Sequence, residues 1–133
     1  MIHARRYLCR ACDVTITVVP RGVVPTYLYT GCAIALALAL WGISREPADT
    51  VRHKVSPWSI VGPGQAGRWR SLGRWVRAIA AGRLFPDIGR VTGAGAPRAL
   101  AARFAEVAIG RASPADRAAS LWHRAWRGGE SMA

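Results

Sequence analysis

Cys9-X-X-Cys12, with His3 before it and Cys32 after it, is a spacing at which two thiols can share a metal ion or bridge. A structural zinc site needs four tetrahedral ligands, usually from two such pairs. Here the second pair is missing, and Cys32 falls in an apolar run. A thioredoxin-like redox site calls for a following βαβ pattern, which is absent from the sequence. The pair is therefore expected as a Cys9–Cys12 bridge or as free thiols, with no metal and no cofactor. Gly93-Ala94-Gly95 lacks the Gly-Lys-Ser/Thr and the strand–turn–helix setting of a phosphate loop, so it reads as a linker. His123 lies beside Trp122 and Trp126, with Asp116 and Glu130 each about two helical turns away, so it is expected as a surface or interface histidine. Asp87, Glu106 and Glu130 form no evident pair. Nowhere do nucleophile, base and orienting group come together. With 7 acids and 3 histidines in 133 residues, the expectation is a protein that is not an enzyme.

Charge carries more information. The 19 basic residues against 7 acidic ones give a net +12, and 18 of the 19 are Arg, with Lys54 the exception. Arg suits buried interfaces, lipid headgroups and RNA because its planar fork binds phosphate bidentately and stacks on rings. A GC-rich coding sequence would produce the same Arg bias without any functional cause. The chain is also 51% apolar, which excludes an ordinary disordered basic tail. Three cysteines are too few for a disulfide scaffold.

The elements that would position these groups begin with an uncharged window. No charge occurs from Gly22 to Ser44, between Arg21 and Arg45. As a helix, Val23 to Ile43 would rise about 31 Å, close to the thickness of a bilayer core. Val23, Leu28, Ile34, Leu36, Leu38, Leu40 and Ile43 would face lipid, with Pro25 in the first turn. Tyr27 and Tyr29 at one end and Trp41 at the other match interfacial aromatics. The expectation is a single transmembrane helix over 22–44, following a basic N-terminal segment over 1–21. A buried core helix is the alternative, since the Ala-Leu alternation from Ala33 to Leu40 would also pack in a bundle. A secretory signal peptide is disfavoured by an n-region of about 30 residues. The positive-inside count, four before the window against three after it, leaves orientation open.

Residues 45–67 hold Pro47, Pro57 and Pro63 and read as an extended connector. The region 68–133 is expected to be helical, rich in Arg and Trp, and placed on a membrane surface or a partner. Within it, Trp69, Leu72, Val76 and Ile79 recur at helical spacing over Arg68 to Leu84, with Arg70, Arg74 and Arg77 on another face. Trp75 falls near the boundary, and Phe85-Pro86 ends the helix. A second helix is expected over Pro97 to Ile109 and a third over Pro114 to Arg127, stopped by Gly128-Gly129. The only strand signal is an alternation over Val14 to Val19. The fold class is thus mostly α, with one span, a connector and two or three short amphipathic helices.

The acid-free stretch from Thr50 to Pro86 holds Arg52, Lys54, Arg68, Arg70, Arg74, Arg77 and Arg83, interleaved with Trp58, Trp69 and Trp75. Together with Trp122 and Trp126, these are the residues expected to bind lipid headgroups or partners. Each basic residue near an anionic bilayer contributes about 1 kcal/mol. The resulting expectation is an accessory subunit of a larger membrane complex, of respiratory or ATP-synthase type, in the mitochondrial or bacterial inner membrane. Its partners would be other subunits and anionic lipid headgroups. The alternative is a basic RNA-associated structural protein, such as an organellar ribosomal component, with 22–44 as a buried helix.

Overall fold

A computed structural model describes residues 5–18, 27, 29–56, 69–88 and 95–132 of the chain. Among them the fold is mostly helical, as expected. The uncharged window supplies its centre. Helix α1 (Gly31–Gly42) starts at Thr30, whose side-chain oxygen accepts the Ala33 N–H at 3.1 Å and so satisfies one of the free donors of the first turn. The helix is apolar on every side, and such a helix must be enclosed. Four others enclose it: α2 (Ala48–Val55), α3 (Ser71–Ala80), α4 (Pro97–Gly110) and α5 (Leu121–Ser131).

This packing corrects the expected span. Twelve helical residues rise about 18 Å, little more than half of a bilayer core. Among the described residues no helix is long and apolar enough to cross a membrane, so the transmembrane helix over 22–44 is not supported. Ile34, Leu38 and Leu40 face protein instead of lipid. Leu36 and Ile43 are half-buried, and Val23 and Leu28 lie outside the described residues. Enclosure by the rest of the chain accounts for the absence of charge in the helical part of the window, Gly31–Gly42.

The core has two textures. On one side of α1, large side chains interlock: Trp75, Phe104, Leu72, Leu84 and Val51 join Ile34 and Leu38. The Phe85 ring stacks on Phe104 at 5.1 Å between centroids. On the other side, α1, α4 and α5 meet through small residues, with Ala39, Ala105 and Ala125 fully buried. Their backbones approach so closely that a Cβ at Gly129 would lie 2.6 Å from the Gly31 carbonyl oxygen, and one at Gly128 would collide with the Ala108 carbonyl. The pair expected to stop the third helix therefore lies inside α5, and the helix runs on to Ser131.

Three other boundaries differ from the sequence reading. The connector over 45–67 contains α2, which starts after Pro47 and buries Val51. The helix expected over Arg68 to Leu84 is regular only over Ser71–Ala80, followed by a turn at Gly82 (φ +67°). The third helix divides into a 3₁₀ turn, Pro114–Asp116, and α5, with Ser113 and Ser120 each offering a side-chain oxygen to a following N–H. Pro97 opens α4 where its missing N–H is harmless, as expected.

Near the N-terminus, β1 (Arg5–Leu8) and β2 (Thr15–Val18) form an antiparallel hairpin, with Tyr7 opposite Ile16 and Leu8 opposite Thr15. The sequence reading anticipated β2 and missed β1. Cys9 N–H donates to the Val14 carbonyl, and Asp13 N–H donates to the Cys9 carbonyl, each at 2.9 Å. Asp13 takes φ 55°, a conformation that Asp tolerates better than most residues, and so returns the chain to β2.

Candidate functional site

The basic stretch divides when folded. Helix α3 carries Leu72, Trp75, Val76 and Ile79 into the core, so its opposite face must be polar. Arg70, Arg74 and Arg77, at spacings of four and three, form one stripe along that face. All three are exposed, as is Arg83 just beyond the helix. Among the described residues none of the four makes an ion pair. Arg70 is also the N-cap of α3 and provides no side-chain cap, and the first turn holds no acid. Placing cations at the positive end of a helix is unfavourable by roughly 0.3–1 kcal/mol each. Arg77, in the last turn, is placed favourably, so the helix dipole disfavours only the N-terminal end of the stripe.

The tryptophans expected beside these arginines face the other way. Trp75 is buried, and half-buried Trp69 meets it edge-on at 5.2 Å. Tyr29 packs against both, 5.0 Å from Trp75 and 6.2 Å from Trp69, and its hydroxyl donates to Ser56 Oγ at 3.1 Å. Tyr27 and Tyr29, expected at a lipid interface, both pack on the core instead. Trp41, expected at the opposite interface, is half-buried with the Arg98 guanidinium over its ring at 5.3 Å. Arg98 also donates to the Glu46 carbonyl at 3.1 Å, joining α4 to the segment between α1 and α2. No spacing rule in the sequence marks that contact, because the two residues are 52 apart.

The remaining basic residues of the stretch do not extend the stripe. Lys54 is engaged with Glu46 at 2.7 Å. Arg52 is half-buried, its Nε enclosed without a hydrogen-bond partner. Trp58 and Arg68 lie outside the described residues.

On the far side of α1, Trp122 and Trp126 from α5 line an open depression of about 590 Å³ with Leu36, His123 and Arg127. Trp126 is 40% exposed. Because the helix is interrupted after Asp116, that carboxylate lies within 3.4 Å of His123 Nε2 and 3.8 Å of Arg127 Nε. The two-turn separation expected for a continuous helix therefore does not hold. Arg127 also pairs with Glu130. The basic and acidic groups here largely neutralise one another, which leaves an apolar recess with a balanced rim.

The three cysteines are free thiols, and burial separates them. Cys32 is enclosed in α1, where loss of solvent, with the Glu130 charge adding to it, pushes its thiol up from the ordinary range. Cys9 and Cys12 lie in the hairpin loop, where the Cys12 thiol and the backbone N–H groups of Ala11 and Cys12 donate to the Cys9 sulfur and hold it below the ordinary range. Among the described residues no group of three or more His, Cys, Asp or Glu could hold a metal ion. No protein-family model, curated protein or solved structure matches the chain.

Proposed function

We propose that the protein is a non-catalytic, basic RNA-associated structural protein that engages RNA backbones through the α3 face. The observation that carries this reading is the exposed Arg70/Arg74/Arg77 stripe, unopposed by acids, on a helix whose other face is buried. The three guanidinium-bearing positions span about 10 Å of helix rise, a length over which a nucleic-acid backbone presents several phosphates. A lipid surface is the poorer fit. An interfacial helix lays its apolar face among the acyl chains, and the apolar face of α3 is occupied by the protein's own core. With Trp69 and Trp75 turned inward, this face has, among the described residues, no ring on which an unpaired base could stack. Contact is therefore with phosphates, indifferent to sequence and sensitive to salt, as suits double-stranded regions read by shape.

The test is the anisotropy of a labelled RNA hairpin titrated with protein at several salt concentrations. Replacing Arg70, Arg74 and Arg77 together by Gln should flatten the log–log salt dependence by about two to three units. All three are exposed, so the variant should keep its helical signal and melting profile. An unchanged salt slope in a folded triple variant would remove the α3 face from the reading. Binding to anionic vesicles at RNA-free equilibrium, stronger than binding to RNA, would favour lipid.

An accessory-subunit role in a membrane complex of respiratory or ATP-synthase type is the second reading. Its support is the depression under Trp122 and Trp126, since exposed Trp on a recess suits packing against another protein. In that case subunit contacts, with headgroups against the Arg stripe, would hold the protein to the inner membrane. Co-purification with membrane subunits that is lost in Trp126→Ala, with RNA binding absent, is the result that would favour it.

A further inference from the structure

The hairpin loop does something with its cysteines that spacing alone does not reveal. Residues 10–12 form a single turn between β1 and β2, closed by the Asp13 N–H on the Cys9 carbonyl. Cys9 thus stands where a helix would place its capping residue. A capping side chain accepts the N–H groups two and three positions ahead. Here those positions are Ala11 and Cys12, whose N–H groups help to lower the Cys9 thiol. The same turn, closed by Asp13 N–H on the Cys9 carbonyl at 2.9 Å, holds both cysteines in one loop, where the Cys12 thiol also lowers that of Cys9. Such donors favour a thiolate, as the start of a helix does for the first cysteine of a Cys-X-X-Cys pair. A βαβ setting is therefore unnecessary, because the hairpin turn supplies equivalent hydrogen bonds. Cys12 is exposed and Cys9 half-buried, so a small molecule can reach the pair.

We propose that Cys9 and Cys12 form a reversible dithiol–disulfide site that exchanges with small-molecule disulfides, Cys9 attacking and Cys12 resolving. In the first step the Cys9 thiolate attacks one sulfur of R–S–S–R. A Cys9–S–S–R bond forms, the S–S bond of the reagent breaks, and one RS⁻ leaves. Cys12 then gives its proton to solvent and attacks the Cys9 sulfur, forming Cys9–S–S–Cys12 and expelling the second RS⁻. Two protein thiols are oxidised by two electrons, and one disulfide is reduced to two thiols once the leaving groups take up protons. The oxidised form ties the loop across its own turn. Cys32, enclosed and with its thiol pushed up, takes no part.

The experiment incubates the full-length reduced protein with oxidised glutathione and a metal chelator. Samples are quenched in acid and alkylated, then mapped by mass spectrometry. The wild type should accumulate an internal Cys9–Cys12 disulfide without a stable glutathione adduct. Cys12→Ser should trap one glutathione on Cys9, and Cys9→Ser should react at Cys12 about tenfold more slowly. Cys32 should become alkylated only after unfolding. Stable glutathione on either cysteine of the wild type, with no internal disulfide, would overturn the site. Equal rates in the two Ser variants would overturn the assignment of Cys9 as the attacking group. The core residues are untouched in both variants, and an unchanged helical spectrum checks that each is folded.

Discussion

The hairpin and α1 are both rich in apolar side chains, yet they spend them oppositely. Tyr7, Leu8, Val14, Ile16 and Val18 are between 51% and 60% exposed, whereas Ile34, Ala35, Ala37 and Leu38 are fully enclosed. Residue type does not separate them. What separates them is the number of elements that close over each: four helices pack on α1, while the main packing partner of each strand is the other strand. A two-stranded hairpin alone is marginal in water, so its order rests on the ladder and on the loop that Asp13 closes. The cysteines follow the same division. Enclosure raises the thiol of Cys32, and loop donors lower that of Cys9.

The contrast breaks if α1 is not the keystone of stability. Leu38→Ala should reduce the unfolding free energy by about 2–5 kcal/mol in urea titrations, because an enclosed side chain leaves a cavity that its neighbours fill only partly. A loss below about 1 kcal/mol would mean that α1 is far more exposed than described.

Gly128→Ala sharpens the picture through its sign. In an exposed helix interior, Ala in place of Gly stabilises by roughly 0.5–1 kcal/mol. Here the new methyl would meet the Ala108 carbonyl, so we expect a loss of about 2 kcal/mol by the same titration. A gain would show that α4 and α5 do not approach at that point. Ile16→Thr should have the smallest effect, within about 0.5 kcal/mol, because it removes little enclosed surface and keeps a β-branched residue in the strand. A larger loss would place the hairpin against the helical body.

Much of the helical content was legible in sequence, and for identifiable reasons. Pro97 marks the start of α4, and the recurrence of Leu72, Val76 and Ile79 marks the buried face of α3. The stripe of Arg70, Arg74 and Arg77 followed from that same periodicity. Other features depend on what lies across space. A charge-free window looks the same whether lipid or protein surrounds it, and the small residues that suit packing between membrane helices suit α1 against α4 and α5 equally. Gly128 and Gly129 read locally as a stop, yet only the approach of Ala108 and Gly31 explains why they occur inside a helix. Trp75 falls on a boundary of the sequence pattern because α3 alone does not reveal that Tyr29 and Trp69 close over it. The Cys pair was visible as a spacing, whereas its donors exist only once residues 10–12 have turned.

The seam of Ala and Gly among α1, α4 and α5 has a thermodynamic consequence of its own. Ala and Gly lose essentially no rotamer entropy on burial, while a buried Leu or Met side chain loses roughly 0.5–2 kcal/mol. At the Ala and Gly contacts themselves, joining these helices therefore restricts very little side-chain freedom, and the ordering there falls on the backbone. The same lack of rotamers removes the usual means of adjustment, since a methyl group has no alternative χ1 to adopt when a neighbour shifts. Three helices joined in this way have little room to shift against one another, and the Trp126 recess on α5 shares that constraint.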